Sequence, residues 1–282
     1  MPDRHAPFVD ALTLEHAWAL VEHFSVTPRW RPEDVNTAMD HLVGKLQALG
    51  VPIDVYEPEL CLSVPLDASV EAGGERFRAK PPSNAMSAPE GVEAPLVYIP
   101  ADKSNLRSYS KNIRDLFGDA VVSEAEARDL LMGKILITEG FGNPALTQFA
   151  EEWGAVGLIA VNPGVDIHWG TCTTIWGSPD LDDLPRKPTI PVGAVNAPDG
   201  GKLIALAQAG GAARLRTEMQ EGWFPQKIPV VTIPGSAEPD RFVLVHGHLD
   251  SWDVGVGDNA TGDAVLLELA RVLWDKLADL RR

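Results

Sequence analysis

Five side chains able to bind a metal or carry a proton fall within one short stretch near the C-terminus: His246, His248, Asp250, Asp253 and Asp258. Imidazole nitrogen and carboxylate oxygen both suit a divalent ion of intermediate softness, zinc above all. The run Phe242 to Val245 ahead of them is apolar and reads as a buried strand, and an amphipathic helix begins near Thr261. The cluster thus sits in a strand-to-helix loop. In open α/β sheets, ligands gather outside the carboxyl ends of strands. Gly255, Gly257 and Gly262 allow the backbone to fold tightly enough for His248 and Asp258 to converge.

The segment from Glu238 to Trp252, with Gly257-Asp-Asn-Ala-Thr-Gly262 after it, resembles the co-catalytic di-zinc peptidase family of bacterial aminopeptidases, glutamate carboxypeptidase and the transferrin receptor. The shared pattern is an apolar strand, His-x-Asp-Ser, an Asp ten residues after that His, and a small-residue turn into a helix. The resemblance implies that His248 binds one zinc and that Asp258 bridges two. It makes Asp250 the catalytic-site acid behind His248, accepting the second ring N–H, and it implies a cis peptide bond between Asp258 and Asn259. His246 stands where the family usually has a small residue and is expected to be dispensable for metal.

Other readings of the segment are weaker. Gly255-Val-Gly257-Asp-Asn-Ala260 fits a dinucleotide-binding fingerprint. Asp258 would then lie where a pyrophosphate must approach, and a long loop separates the glycines from the strand. Asn259-Ala-Thr261 is a formal glycosylation acceptor, which matters only in a secreted protein. His246 and His248 without their acids would be ordinary strand-end histidines.

Composition bounds the partners. The 282 residues are enough for two domains with a sizeable core. A formal net charge of −16 disfavours nucleic acid and anionic membrane surfaces. Cys61 and Cys172 make no disulfide framework. The opening residues lack a signal-peptide pattern and no apolar run reaches a membrane span, so the expected location is cytoplasmic.

Helical spacing is expected over residues 11 to 24 and again from Pro32 through Val35, Met39, Leu42, Leu46 and Leu49, with Gly50 as C-cap. Val51 to Tyr56 reads as a strand. From about Leu62 to Phe224, Pro and Gly punctuate short strands such as Leu96–Ile99, Lys134–Thr138 and Val156–Val161. Ser123 and Glu126 form a capping box, and 143 to 153 reads as a helix. The order strand, helix, strand and Ile190-Pro-Val resembles the protease-associated domain that larger members of the family insert before the metal strand.

The fold class expected is α/β, part of a mixed-sheet zinc-exopeptidase sandwich with an inserted, mostly-β protease-associated domain. The expected organisation is a catalytic segment at 1–65, the inserted domain at 66–224 and a second catalytic segment at 225–282. The loop from Asp166 to Trp176 holds His168, Trp169 and Trp176, which either line a ligand pocket or cover the domain's core. Gly140-Phe-Gly-Asn-Pro144 offers no Arg of the kind glutamate carboxypeptidases use to grip a substrate carboxylate.

The family's site needs further acids and a second His from beyond the helix that follows Asp258. This chain supplies His248 and Asp258, and Glu268 lies about 10 Å further along the helix. It is therefore expected to be inactive alone, the rest of the site coming from a second polypeptide or from a C-terminal half lost by processing, for which Arg281-Arg282 would suit nicking. The implied activity is zinc-dependent hydrolysis of a peptide or related amide, with a catalytically silent binding module as the alternative. Strands near 51–56, 229–233 and 242–247 are too few for the family's sheet. The apolar face of the last helix (Leu266, Leu269, Val272, Leu273, Leu277) is expected to want more cover than they give.

Overall fold

The computed structural model describes residues 5–101, 112–175, 177–235, 237, 238 and 241–277. Two compact units emerge, one from residues 1–60 and 223–282 and the other from 61–222. Among the described residues no helix is long and apolar enough to cross a membrane.

The first unit is built on helices. A short α1 (Ala6–Val9) precedes α2 (Glu15–Phe24) and α3 (Pro32–Ala48). Pro32 opens α3 because its missing N–H falls where the helix has no acceptor for it, and Gly50 ends the run with a left-handed φ of 74°. β1 (Asp54–Tyr56) pairs antiparallel with β9 (Ile228–Val230), and α8 (Thr261–Asp275) closes the described chain. Leu20 and Phe24 of α2, Ala38 and Leu46 of α3, and Ala264 and Leu267 of α8 bury together with Leu249. Val272 of α8 is also buried, whereas Leu266, Leu269 and Leu273 stay half-covered. The expected strand at 51–56 is shorter than its sequence suggested, since ladder bonds exist only opposite β9.

The second unit holds a seven-stranded mixed sheet in the order β3-β2-β8-β4-β5-β6-β7. β2 (Glu59–Ala72) and β3 (Glu75–Ala79) are antiparallel, as are β4 (Ala88–Tyr98) and β8 (Ala212–Pro225). β4, β5 (Ile135–Glu139), β6 (Gly157–Val161) and β7 (Val192–Val195) run parallel. The helices between them are α4 (Ile113–Phe117), α5 (Glu124–Leu131), α6 (Pro144–Glu152) and α7 (Ala197–Gln208). Alternation along the strands divides the core. Leu136, Leu158 and Val192 face one layer with Leu131 and Leu146, while Ile135, Ile137, Ile159 and Val161 face the other with Leu203. Gly200 lets α7 lie against β6, because a Cβ there would come within 2.2 Å of Val161.

The Ser123 cap forms, its Oγ accepting from Glu126 N–H at 3.3 Å, while Glu126 Oε2 reaches back one residue further than a capping box, accepting from Val122 N–H at 3.0 Å. The 14-residue strands β2 and β8 are longer than the short strands expected between 62 and 224. One expectation fails outright. Phe242–Val245 is neither strand nor buried, and its four side chains are 83%, 76%, 70% and 55% exposed. A strand exists only where its N–H and C=O groups find a neighbour, and none of the described strands pairs with this segment.

Candidate metal centre

The loop after this unpaired segment brings His248 and Asp258 together. His248 Nε2 lies 3.0 Å from Asp258 Oδ1, and both side chains are exposed. His248 Nδ1 lies 3.0 Å from the Asp250 carbonyl oxygen and 3.4 Å from its carboxylate. A carbonyl can only accept, so Nδ1 donates to it, and Nε2 is the nitrogen that faces Asp258. An imidazole nitrogen and a carboxylate at that separation can share a proton or, in its place, a metal ion. Asp250 therefore orients the ring first through its main chain, with the carboxylate a longer second contact.

The turn that carries Asp258 is irregular. Residues Val256–Ala260 form a wide helical turn in which Asp258 (φ −128°, ψ 89°) and Asn259 (φ −133°, ψ 27°) leave helical geometry. The Asp258–Asn259 peptide bond is cis, as the resemblance implied. Ser251 Oγ donates to the Asp258 carbonyl at 3.0 Å, and Asn259 Nδ2 donates to the His248 carbonyl at 2.9 Å. Gly255 has a φ of 43°, and a Cβ there would strike Ser251 Oγ at 1.6 Å and the Asp258 carbonyl at 2.2 Å. Glycine is obligatory at that point.

Sequence reasoning missed two groups behind the loop. Arg29, in the loop between α2 and α3, is fully buried, and Asp263 of α8 is 3% exposed. Burial pushes Asp263 up to about 7 against the pull of Arg29 and His248, with Asp250 adding to the rise. Arg29 had one legible signal, a cation wedged between Pro28 and Trp30 in an inter-helix loop. Asp263 had none beyond being an acid on the first turn of a helix. His246 and Asp253 are exposed and stand apart from the His248–Asp258 pair in the bonds described. Glu268 is engaged elsewhere, accepting from Thr13 N–H at 2.7 Å and from Arg271 at 2.6 Å.

Residues 230–282 match peptidase family M28. Over those residues the chain is similar to that family. The chain is 26% identical over 297 residues to a probable glutamate carboxypeptidase of Arabidopsis thaliana, covering 83% of this chain and 40% of that protein. It is 54% identical over 43 residues to transferrin receptor protein 1 of Gallus gallus, 15% of this chain and 6% of that one. A zinc aminopeptidase from Bacillus subtilis has the same fold, with a TM-score of 0.63 at 16% identity over 93% of this chain and 58% of that structure. The resemblance to the co-catalytic zinc peptidases is thereby shown, and so is the α/β fold with a mixed sheet. The chain spans 40% of the length of the plant relative.

The donors fit zinc in kind, an imidazole nitrogen and a carboxylate oxygen facing each other. In number they account for part of a site. Among the described residues, no three His, Cys, Asp or Glu side chains gather as a metal cage.

In the second unit, His168 and Trp169 border a crevice of about 220 Å³ with Phe141, Asn143 and Asn162. It opens beyond the C-terminal ends of β5 and β6. His168 is exposed, its N–H held by Asn162 Oδ1 at 2.9 Å and its ring edge-on to Phe141, so these aromatics line a pocket rather than cover a core. Trp176 lies outside the described residues.

Proposed function

We propose that this chain supplies part of the metal site of a zinc-dependent exopeptidase of aminopeptidase type, completed by further polypeptide. The single observation that carries this reading is the pair His248 Nε2 and Asp258 Oδ1, 3.0 Å apart at the turn into α8. The M28 match supports it. His248 and Asp258 would hold the metal. When bound, zinc supplies Lewis acidity and makes a nearby water acidic enough to attack an amide.

The chain's own residues prepare that chemistry. Asp250 keeps the Nδ1 proton in place through its carbonyl, so the Nε2 lone pair stays directed outward. Ser251 and Asn259 fix the main chain on either side of the pair. The remaining ligands and the base that takes the water's proton belong to the completing polypeptide, whether a separate subunit or a longer form of the same chain. The second unit is read as a protease-associated domain, whose crevice by His168 offers a surface to a peptide substrate.

Purification from the native source tests this. The expected result is a complex or longer chain that holds zinc, hydrolyses a free-ended peptide and loses that activity to a chelator. A monodisperse 30.4 kDa species that hydrolyses peptides alone would overturn the shared-site reading. Absence of bound zinc in the assembled protein would favour a silent binding module instead.

A further inference from the structure

Arg29 ties down the loop that separates His248 from Asp258. Its Nε donates to the Leu249 carbonyl at 2.8 Å and its Nη2 to the Gly255 carbonyl at 3.1 Å. Those two carbonyls are the two ends of the loop, one residue after His248 and three before Asp258. The main chain of Arg29 holds the middle. Its N–H donates to the Asp253 carbonyl at 2.8 Å, and its carbonyl accepts from Ser251 N–H at 2.7 Å. Asp253 has a φ of 148°, a conformation that side chains other than glycine rarely adopt, and this bond helps to keep it there.

The far side of the guanidinium is equally fixed. Nη1 donates to the Phe24 carbonyl at 3.2 Å, and the cation lies 4.4 Å from the centre of the Phe24 ring. Phe24 is fully buried in the core of the first unit. With a longer contact from Nη1 to the Thr27 carbonyl at 3.4 Å, the planar fork of donors reaches four carbonyls at once, which a lysine ammonium with three donors on a flexible stem cannot do. A cation buried this completely is costly. Its bonds converge on the loop that presents the candidate ligands and on the helix end behind it.

We infer that Arg29 is a positioning residue for the metal centre, clamping both ends of the 249–255 loop so that His248 and Asp258 are held at a metal-binding separation. The inference rests on the functional reading above. Arg29 touches neither His248 nor Asp258 in the bonds described, so its effect runs through the main chain. The orientation of the two ligands is set by α2 and its following loop, more than 200 residues away in sequence.

The test measures zinc affinity of the full chain, with its completing polypeptide where one copurifies, by competition with a chromogenic chelator. Arg29→Lys should weaken zinc at least tenfold, in the range seen when an outer partner of a ligand is removed. Leu46→Ala, a cavity in the same core, should lower the unfolding midpoint at least as far and keep zinc affinity within about threefold. Cobalt(II) loaded in place of zinc should show a shifted visible spectrum in Arg29→Lys and an unshifted one in Leu46→Ala. Equal zinc loss in both variants would make Arg29 merely structural and overturn the inference. So would wild-type affinity in a folded Arg29→Lys.

If Arg29→Lys does not fold, wild-type protein decides. Zinc should slow amide exchange at Arg29 and Ser251, the two N–H groups whose bonds tie the Arg29 main chain to the loop, and unchanged exchange there would overturn the clamp. Zinc held by the wild type and lost through His248→Ala but not Arg29→Lys defeats this inference alone. An assembled wild type, with its completing polypeptide, that takes up no zinc defeats the functional reading and this inference with it.

Discussion

His248 Nε2 and Asp258 Oδ1 face each other at 3.0 Å across ten residues of chain, with the other ring nitrogen turned to the Asp250 carbonyl. That arrangement separates ligands from supports. His248→Ala and Asp258→Ala should each abolish zinc retention in the assembled protein, while Asp250→Ala should weaken it about 10–100-fold. His246→Ala should leave it unchanged. Metal analysis after dialysis is the measurement, and undiminished zinc in His248→Ala would remove the assignment.

Asp263 makes the first unit sensitive to pH in an unusual direction. Burial raises its carboxyl from 3.8 to about 7, and no described group hydrogen-bonds its Oδ2. Between those values the folded metal-free chain holds a proton that the unfolded chain has released, so stability falls as pH rises from about 4 to about 7. Asp263→Asn keeps the shape and removes the titration. Its unfolding free energy should lose that slope, a difference on the order of 2–4 kcal/mol between the ends of the window. Denaturant titrations at pH 4.5 and 7.5 give the comparison, and parallel curves for the two proteins would contradict it.

Much of this site was legible because its chemistry is local. His248, Asp250 and Asp258 sit within eleven residues, and the glycine that lets them converge, Gly255, lies between them. The helix that begins at Pro32 was legible for a similar reason, since proline and cap residues act within one turn, and the one at 144–152 was legible from the shared face of Leu146, Phe149 and Ala150. What the residues did not reveal depends on distant partners. Arg29 meets its carbonyls from 220 and 226 residues away, and nothing in its neighbourhood names them. Phe242–Val245 has a strand's composition, but a ladder needs neighbours, and composition cannot supply them.

A second pH effect runs the opposite way. His23 and His41 stack with ring centres 3.6 Å apart, joining α2 to α3, and His41 Nε2 is buried without a described partner. Burial, then His23 and Lys45, holds His41 below the ordinary imidazole range. The unfolded chain therefore takes up a proton near 6.5 that the folded chain resists, and this contribution is full above that pH and lost on acidification. His41→Phe keeps a ring against His23 and cannot charge. Its melting temperature should fall less than that of the wild type between pH 7.5 and 5.5, and an equal fall would show that His41 is not the group responsible.

The exposed run Phe242–Val245 gives the last prediction. Successive side chains of an extended segment point to opposite faces, so exposure of all four leaves both faces bare, as in a central strand without its neighbours. Covering a large apolar side chain contributes about 1.5–3 kcal/mol, which makes this segment a strong drive for association. The chain by itself should bind a hydrophobic dye and sediment as a mixture of species. The double variant Val243→Lys, Val245→Lys places charges on one face of the run, which disfavours edge pairing. It should sediment as a single species with dye binding reduced severalfold, and should fail to assemble with the completing polypeptide. Unchanged sedimentation and dye binding in that variant would mean that association is driven from another surface.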